Sequence, residues 1–268
     1  WKLLRQSVLK LFKNLPDTMK ISAFLYGLIA ILRRGYEVYF GISCDQALSA
    51  GPEQGQSING WLWPSAVILS IVTILWISVA WHRFILLKQA PRAFIPEFYF
   101  KPILVYFQKS VLMVLLASLP MLLLFLPYWM YQDAYPYTLI GVLVLSFLLL
   151  VPFCATILSR LTPLLSAAAL GHDLGLKAAW TVTRGQTLTL FFLFAPPFGA
   201  FVFFAQLNQE VTLLSFLQET VLGWVGVMLW TSLVTTVYGH YVEKRSLNRR
   251  FSTCVEITAG HNICYERF

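Results

Sequence analysis

Five long stretches of this chain contain no Asp, Glu, Lys or Arg, and they constrain the fold more than any other feature. They are residues 54–81, 110–132, 134–159, 185–209 and 220–239. A helix of about 20 apolar residues crosses a hydrocarbon core about 30 Å thick. The backbone must satisfy its own hydrogen bonds there, and these stretches are too long and too continuously apolar for barrel strands. The sequence therefore predicts an all-α, polytopic integral membrane protein.

The composition also favours a bilayer over water. Of the 268 residues, 58% are hydrophobic and 12% are charged, about half the charged fraction of a soluble domain. The net charge is +8. In so hydrophobic a chain, Lys and Arg are better explained as markers of a cytoplasmic face than as a nucleic-acid surface. We therefore expect lipids and other membrane proteins as partners, and no nucleic acid.

The chain divides into three predicted parts. Residues 1–16 form an interfacial amphipathic helix, 17–243 form a domain of about six transmembrane helices, and 244–268 form a basic cytoplasmic tail. Pro16 and Asp17 are expected to break the chain and to cap the first span. The sequence leaves open whether residues precede Trp1. The predicted spans are 18–40, 61–82, 109–131, 136–159, 186–207 and 217–241.

The N-terminal part has apolar residues at helical spacing, while its basic residues lie largely elsewhere on the helical wheel. This pattern is typical of a helix that lies in the membrane interface. The apolar residues are Trp1, Leu4, Val8, Leu11, Phe12 and Leu15.

The positions of the charges predict the orientation. With the N-terminus inside, 18 of the 20 Lys and Arg fall on the cytoplasmic side, and the opposite loops carry none. Those loops are about 41–60, 132–135 and 208–216. So one-sided a distribution follows the positive-inside rule, and both termini are predicted to be cytoplasmic.

Two cytoplasmic connections are long enough for structure of their own. Residues 97–108 are aromatic-rich and are expected to lie on the membrane surface before the third span. In the second connection, Asp173 is expected to cap a short surface helix at 174–184, which Gly185 would end.

Two motifs resemble those of known families. Trp-His-Arg-Phe-Ile-Leu-Leu at 81–87 is similar to a signature of poorly characterised six-span inner-membrane proteins of proteobacteria, and 171–185 is similar to a surface-helix motif in them. The second motif also resembles the membrane domain attached to some glycerophosphodiester phosphodiesterases. The resemblance implies a multi-pass protein of the bacterial inner membrane. It implies no activity, because the phosphodiesterase chemistry lies in a separate soluble domain that these 268 residues do not contain.

Arg33 and Arg34, inside the first span, are the only basic residues off the predicted cytoplasmic face. Intramembrane charges usually face protein or a water-filled cavity. One hypothesis is that the pair binds an anion such as a lipid phosphate. The alternatives are that both side chains reach the outer headgroups or pair with Glu37, or that the first segment does not span.

The same helix carries a stripe of small residues, Ala23, Gly27 and Ala30, at helical spacing. Small residues let membrane helices approach closely, so the stripe is expected to face a partner.

Four other residues are weaker site candidates. His82 and Arg83, at the end of the second span, could contact lipid phosphates or a partner, with interfacial anchoring as the simpler interpretation. His172 and Asp173 are adjacent, but neighbours on a helix point in different directions, so capping explains Asp173 more simply than acid–base chemistry.

No pattern of catalytic or cofactor-binding residues is recognisable. Cys254, His261 and Cys264 are too few and too irregularly spaced for a standard zinc site, and the spans hold almost no ionisable groups for ion-coupled transport. We therefore expect no enzyme activity, no metal and no cofactor. The favoured hypothesis is a non-enzymatic membrane subunit or assembly protein, and the alternative is a binder or transporter of an anionic lipid or amphiphile that uses Arg33 and Arg34.

Overall fold

The structure is a computed structural model that describes most of the chain. It covers residues 2–40, 62–89, 95–131, 136–207, 213–245, 252–257 and 261–266. The membrane part of these residues is all-helical, as the sequence predicts. The predicted outer loops at 41–60 and 132–135, and residues 208–212, lie outside the described residues.

The described helices follow the chain from end to end. The first part comprises α1 (Lys2–Lys13), α2 (Leu15–Thr18), a π-helical turn (Met19–Ala23) and α3 (Phe24–Phe40). The later helices are α4 (Leu62–Leu87), α5 (Phe100–Tyr131), α6 (Pro136–Leu170), the short α7 (Leu176–Val182), α8 (Thr187–Leu207) and α9 (Leu213–Tyr241). In the tail, β1 (Ser252–Ile257) pairs with β2 (His261–Glu266) as an antiparallel hairpin, which the sequence did not predict.

Within the described residues, five helices are long and apolar enough to cross a membrane. They are Leu15–Gly35, Pro64–Leu87, Phe100–Pro120, Pro152–Leu170 and Phe216–Tyr241. The predicted fifth span corresponds to α8, whose described apolar part, Thr187–Pro197, is shorter. The polytopic membrane fold is thus confirmed, while the number six and the side of the membrane that each end faces stay predictions.

Several predicted boundaries differ from the structure. The first span begins at Leu15 after Asn14, so Asp17 is not its cap; Asp17 lies in the first turn, 3.8 Å from Lys20 Nζ. There is no separate surface segment through 97–108, because α5 runs unbroken from Phe100. An apolar, aromatic segment can extend a helix as readily as it can lie on the membrane surface. The positions of the charges alone do not distinguish these two arrangements.

The fourth predicted span does not end at Ser159 but continues to Leu170. Arg160, expected in a loop, is only 8% exposed. Its Nη2 donates to the Trp180 carbonyl at 2.7 Å, its Nε donates to Thr183 Oγ1 at 3.3 Å, and its guanidinium lies 3.7 Å from the Trp180 ring centroid. These contacts satisfy the charge and fasten α7 to α6, so α6 continues past it.

The core lies where α6 and α9 are buried on every side. Residues 159–169 and 231–239 have no exposed member. Residues 159–169 are rich in Ala, Ser and Thr, and residues 231–239 are rich in Ser and Thr; these small side chains let helix backbones approach closely in a membrane. The other long helices pack around this pair, and α1 packs along α9 through Leu3, Ser7 and Leu11.

The first and last spans run antiparallel. Trp224 Nε1 donates to Ser22 Oγ at 2.8 Å, and Arg33, further along α3, forms an ion pair with Glu219, earlier in α9. Between these contacts, Gly223 lies against the Tyr26 hydroxyl, which would clash with any larger side chain. The start of the first span and the end of the last therefore lie at the same end of the bundle.

Helix α6 ends in a Schellman motif. The Gly171 N–H donates to the Ala168 carbonyl at 3.1 Å and the His172 N–H donates to the Ala167 carbonyl at 2.9 Å, which satisfies two carbonyls that the helix end leaves open. Gly171 has a φ of +78°, a left-handed conformation that a Cβ disfavours.

Replacing Gly171 with Ala should lower the free energy of unfolding by about 1 kcal/mol, because φ is positive there. Gly35→Ala is the matched control, since Gly35 lies inside the helix Phe24–Phe40 and, like Gly171, has open space where a Cβ would lie. Thermal unfolding of the purified protein in mild detergent checks this. Equal shifts for both variants would contradict it.

Candidate functional site

A buried polar cluster lies between four helices at the centre of the bundle. His82 of α4, which is completely buried, is surrounded by Tyr106 of α5, Ser166 of α6 and Thr235 of α9. Its Nδ1 lies 2.7 Å from Thr235 Oγ1, its Nε2 3.5 Å from the Tyr106 hydroxyl, and Ser166 Oγ 3.5 Å from Nδ1.

The hydrogen bonds around His82 assign the tautomer of its ring. The Thr235 hydroxyl donates its proton to the Thr231 carbonyl at 2.6 Å, so its oxygen accepts from the imidazole. The proton of a neutral ring therefore resides on Nδ1, which leaves Nε2 to accept from Tyr106. Donation runs in one direction, from Tyr106 through His82 and Thr235 to Thr231, and the ring nitrogens are satisfied inside the protein.

This arrangement positions helices rather than binding a headgroup. His82 was predicted to contact lipid phosphates or to anchor at the interface, but a fully buried ring reaches neither unless the helices separate. The sequence does carry a signal for the cluster, because Thr231 and Thr235 are one helical turn apart in an otherwise apolar span. The sequence does not indicate which other helix carries the residue that hydrogen-bonds to this pair.

Trp81 precedes His82 and is also fully buried, against Leu11, Leu25 and Met228. Its indole nitrogen is the one buried side-chain nitrogen or oxygen without a hydrogen-bond partner in the described part of the chain. The structure places the ring between helices.

Arg83 lies at the surface end of the same helix. Its guanidinium lies 4.1 Å from the Tyr99 ring centroid, Nη1 donates to the Ala169 carbonyl at 3.4 Å, and Nε donates to Gln89 Oε1 at 3.1 Å. Arg83 is half-buried, and these contacts link α4 to the end of α6. Binding of a lipid phosphate by Arg83 stays a prediction.

The two arginines of the first span, Arg33 and Arg34, have different surroundings in the structure. Arg33 pairs with Glu219, 186 residues away, whereas the predicted partner Glu37 has its side chain outside the described residues. Arg34 is half-buried and lies one helical turn beyond Ala30. Anion binding by this pair stays a prediction.

The small-residue stripe Ala23, Gly27 and Ala30 lies on the side of the first span away from the buried Leu25 and Ile29. A Cβ built at Gly27 would meet no atom of another described element within 4 Å. The described helices therefore leave this stripe half-buried, with open space beside Gly27.

The other candidate residues do not gather into a site. Asp173 does not cap α7, whose N-cap is Gly175; its Oδ1 lies 3.4 Å from Lys109 Nζ, and His172 is exposed beside it. No group of three or more His, Cys, Asp or Glu in the described residues could hold a metal. The side chains of Cys254, His261 and Cys264 lie outside that description.

Lys10 attaches α1 to the end of the last span. Its Nζ donates to Thr236 Oγ1 at 3.2 Å, next to a contact in which Ser232 Oγ donates to the Ser7 carbonyl at 2.8 Å. Burial lowers the pKa of the Lys10 amine from 10.5 to about 8; the nearby Arg245 lowers it further, and Glu243 opposes the shift.

No protein-family model, curated protein or solved structure matches this chain. The resemblance of residues 81–87 and 171–185 to proteobacterial inner-membrane proteins therefore stays a prediction.

Replacing His82 with Phe should lower the free energy of unfolding by about 1–3 kcal/mol, because Thr235 and Tyr106 then lose a buried partner. Tyr106→Phe is the graded control. It removes only the hydroxyl at the 3.5 Å end of the cluster and should cost less. Thermal unfolding in detergent measures both, and a larger loss for Tyr106→Phe would contradict the central position of His82 in the cluster.

The stability of the protein should depend on the titration of Lys10. Because the folded-state pKa of about 8 lies below the unfolded value of 10.5, the unfolded chain binds more protons between these values. Stability should therefore rise as the pH rises from 8 to 10.5, and the penalty should be complete below pH 8. Unfolding midpoints across this range should rise less for Lys10→Met than for the wild type. Lys177→Met, at an exposed position on α7, should retain the wild-type profile.

Proposed function

We propose that this chain is a non-enzymatic integral membrane subunit or assembly protein of a bacterial inner membrane. It packs against another membrane protein through the stripe Ala23, Gly27 and Ala30 on its first span. The observation that carries the proposal is that this stripe lies away from the buried face of its own helix, with open space beside Gly27.

Small residues stabilise a contact between two membrane helices but bring no comparable gain against lipid. Lipid tails are as apolar as leucine side chains, so membrane helices gain by close van der Waals packing, which Gly and Ala permit. The exposed residues next to the stripe, Phe24, Leu28 and Ile31, are large, as expected of a lipid-facing surface. The stripe differs from that surface because its side chains are small enough for a partner helix to approach closely.

The contacts of the buried cluster support a structural role for the remaining polar residues. His82, Thr235 and Arg160 have their partners within the chain and hold helices together. The alternative is a binder or transporter of anionic lipid that uses Arg33 and Arg34. The ion pair of Arg33 with Glu219 gives that arginine a structural role and weakens the alternative.

Gly27→Ile should reduce the partner protein that co-purifies from native membranes by more than about tenfold, because a branched side chain at the centre of the stripe blocks close approach. Leu28→Ile, one residue away on the lipid-exposed surface, is the matched control and should leave co-purification unchanged. Mass spectrometry of everything that co-elutes in mild detergent or nanodiscs is the readout.

Equal partner yields for Gly27→Ile and Leu28→Ile would contradict the proposal. A protein that elutes alone with one anionic lipid class, lost in Arg33→Gln/Arg34→Gln, would favour the lipid-binding alternative.

A further inference from the structure

The outer surface of α1 carries an apolar groove. The groove is open, has a volume of about 430 Å³ and is lined by Lys2, Leu4, Arg5 and Val8. Its exposed lining is almost entirely apolar, although two of the four lining residues, Lys2 and Arg5, are basic, because the stems of such side chains are hydrocarbon.

Packing against α9 does not fill this groove. The α1 residues buried against the bundle are Leu3, Ser7 and Leu11, and Leu4 also packs against the core with part of its side chain. Leu4 and Val8 are only half-buried, and Phe12, one turn further on, is 64% exposed. The side of α1 that carries Val8 and the exposed part of Leu4, its second face, is therefore only partly covered by the described helices.

The charge of α1 indicates what occupies the second face. The helix contains Lys2, Arg5, Lys10 and Lys13 and no acidic residue. Lys10 donates inward to Thr236, whereas the side chains of Lys2 and Arg5 are exposed at the rim of the groove. An occupant that complements both features has an apolar chain and an anionic head.

Helix α1 leads directly into the first span, which begins at Leu15, and packs along the last span, where Ser232 donates to the Ser7 carbonyl, so its groove lies beside the membrane part of the protein. Anionic phospholipids are attracted to basic residues beside a span. We propose that the groove binds one anionic phospholipid, with an acyl chain against Leu4 and Val8 and its phosphate at Lys2 and Arg5. This site is distinct from the small-residue stripe on the first span.

The test titrates phosphatidylglycerol into the detergent-purified full chain and counts bound lipids by native mass spectrometry, with phosphatidylcholine as the neutral comparison. Wild-type protein should retain one phosphatidylglycerol in preference to phosphatidylcholine. Lys2→Gln/Arg5→Gln should weaken this binding about 10–30-fold, since each basic residue near a membrane surface contributes about 1 kcal/mol.

Two matched controls distinguish lipid binding in the groove from a general attraction of lipid to surface charge. Lys177→Gln/Arg184→Gln removes the same two charges from exposed positions elsewhere and should leave the bound lipid in place. Val8→Asn should weaken binding with all charges intact, while Leu9→Asn, at an exposed apolar position outside the groove, should not.

Equal losses in the two double variants would overturn the proposal, as would equal retention of phosphatidylcholine or wild-type binding by Val8→Asn. Thermal unfolding of each variant verifies that it is folded, and the two charge variants replace only exposed side chains. Binding of an acidic peptide in place of the lipid would also overturn the proposal.

Discussion

Polar groups in the membrane part of this protein depend on partners inside the protein, because hydrocarbon offers none, and among the described buried side-chain nitrogens and oxygens only Trp81 Nε1 has no partner. The last span, α9, meets this constraint with a run of hydroxyl residues. Thr235 and Thr236 donate to carbonyls of their own helix, and their oxygens accept from His82 of α4 and Lys10 of α1. Ser232 donates to the backbone of α1. Helix α9 thereby fixes the positions of α1 and α4. The hydroxyls of Thr235 and Thr236 each donate within α9 and accept from a neighbouring helix.

Close packing depends on the same stretch of α9. Hydroxyl and alanine side chains are small, so α6 and α9 approach until both are buried on all sides. Large aromatic and aliphatic side chains are then left for the periphery, where Phe12, Phe100 and Phe192 are exposed. A bundle held in this way has a defined interior, which fixes the positions of its two distinctive outer features, the stripe on the first span and the groove on α1.

The helices and their approximate limits were predictable because a run of apolar residues long enough to cross a bilayer has few other stable conformations. The predictions from sequence were wrong at positions where a single residue was interpreted from its own segment alone. Arg160 was assigned to a loop because a lone charge usually ends a span, yet Trp180 and Thr183 satisfy it within the protein. The candidate residues of the first span were recognised from their chemistry, but the partner of Arg33 was not, since Glu219 lies 186 residues away.

The sequence by itself determined that the chain is an all-α membrane protein with a basic helix before its first span. These properties depend on hydrophobic length and charge pattern, which are local along the chain. Only the tertiary structure decided that His82 is buried, that α1 packs on α9 and that Ala23, Gly27 and Ala30 lie away from the buried face of the first span. In a membrane all the spans are similarly apolar, so hydrophobicity does not select which faces meet; small side chains and hydrogen bonds between distant residues make that choice.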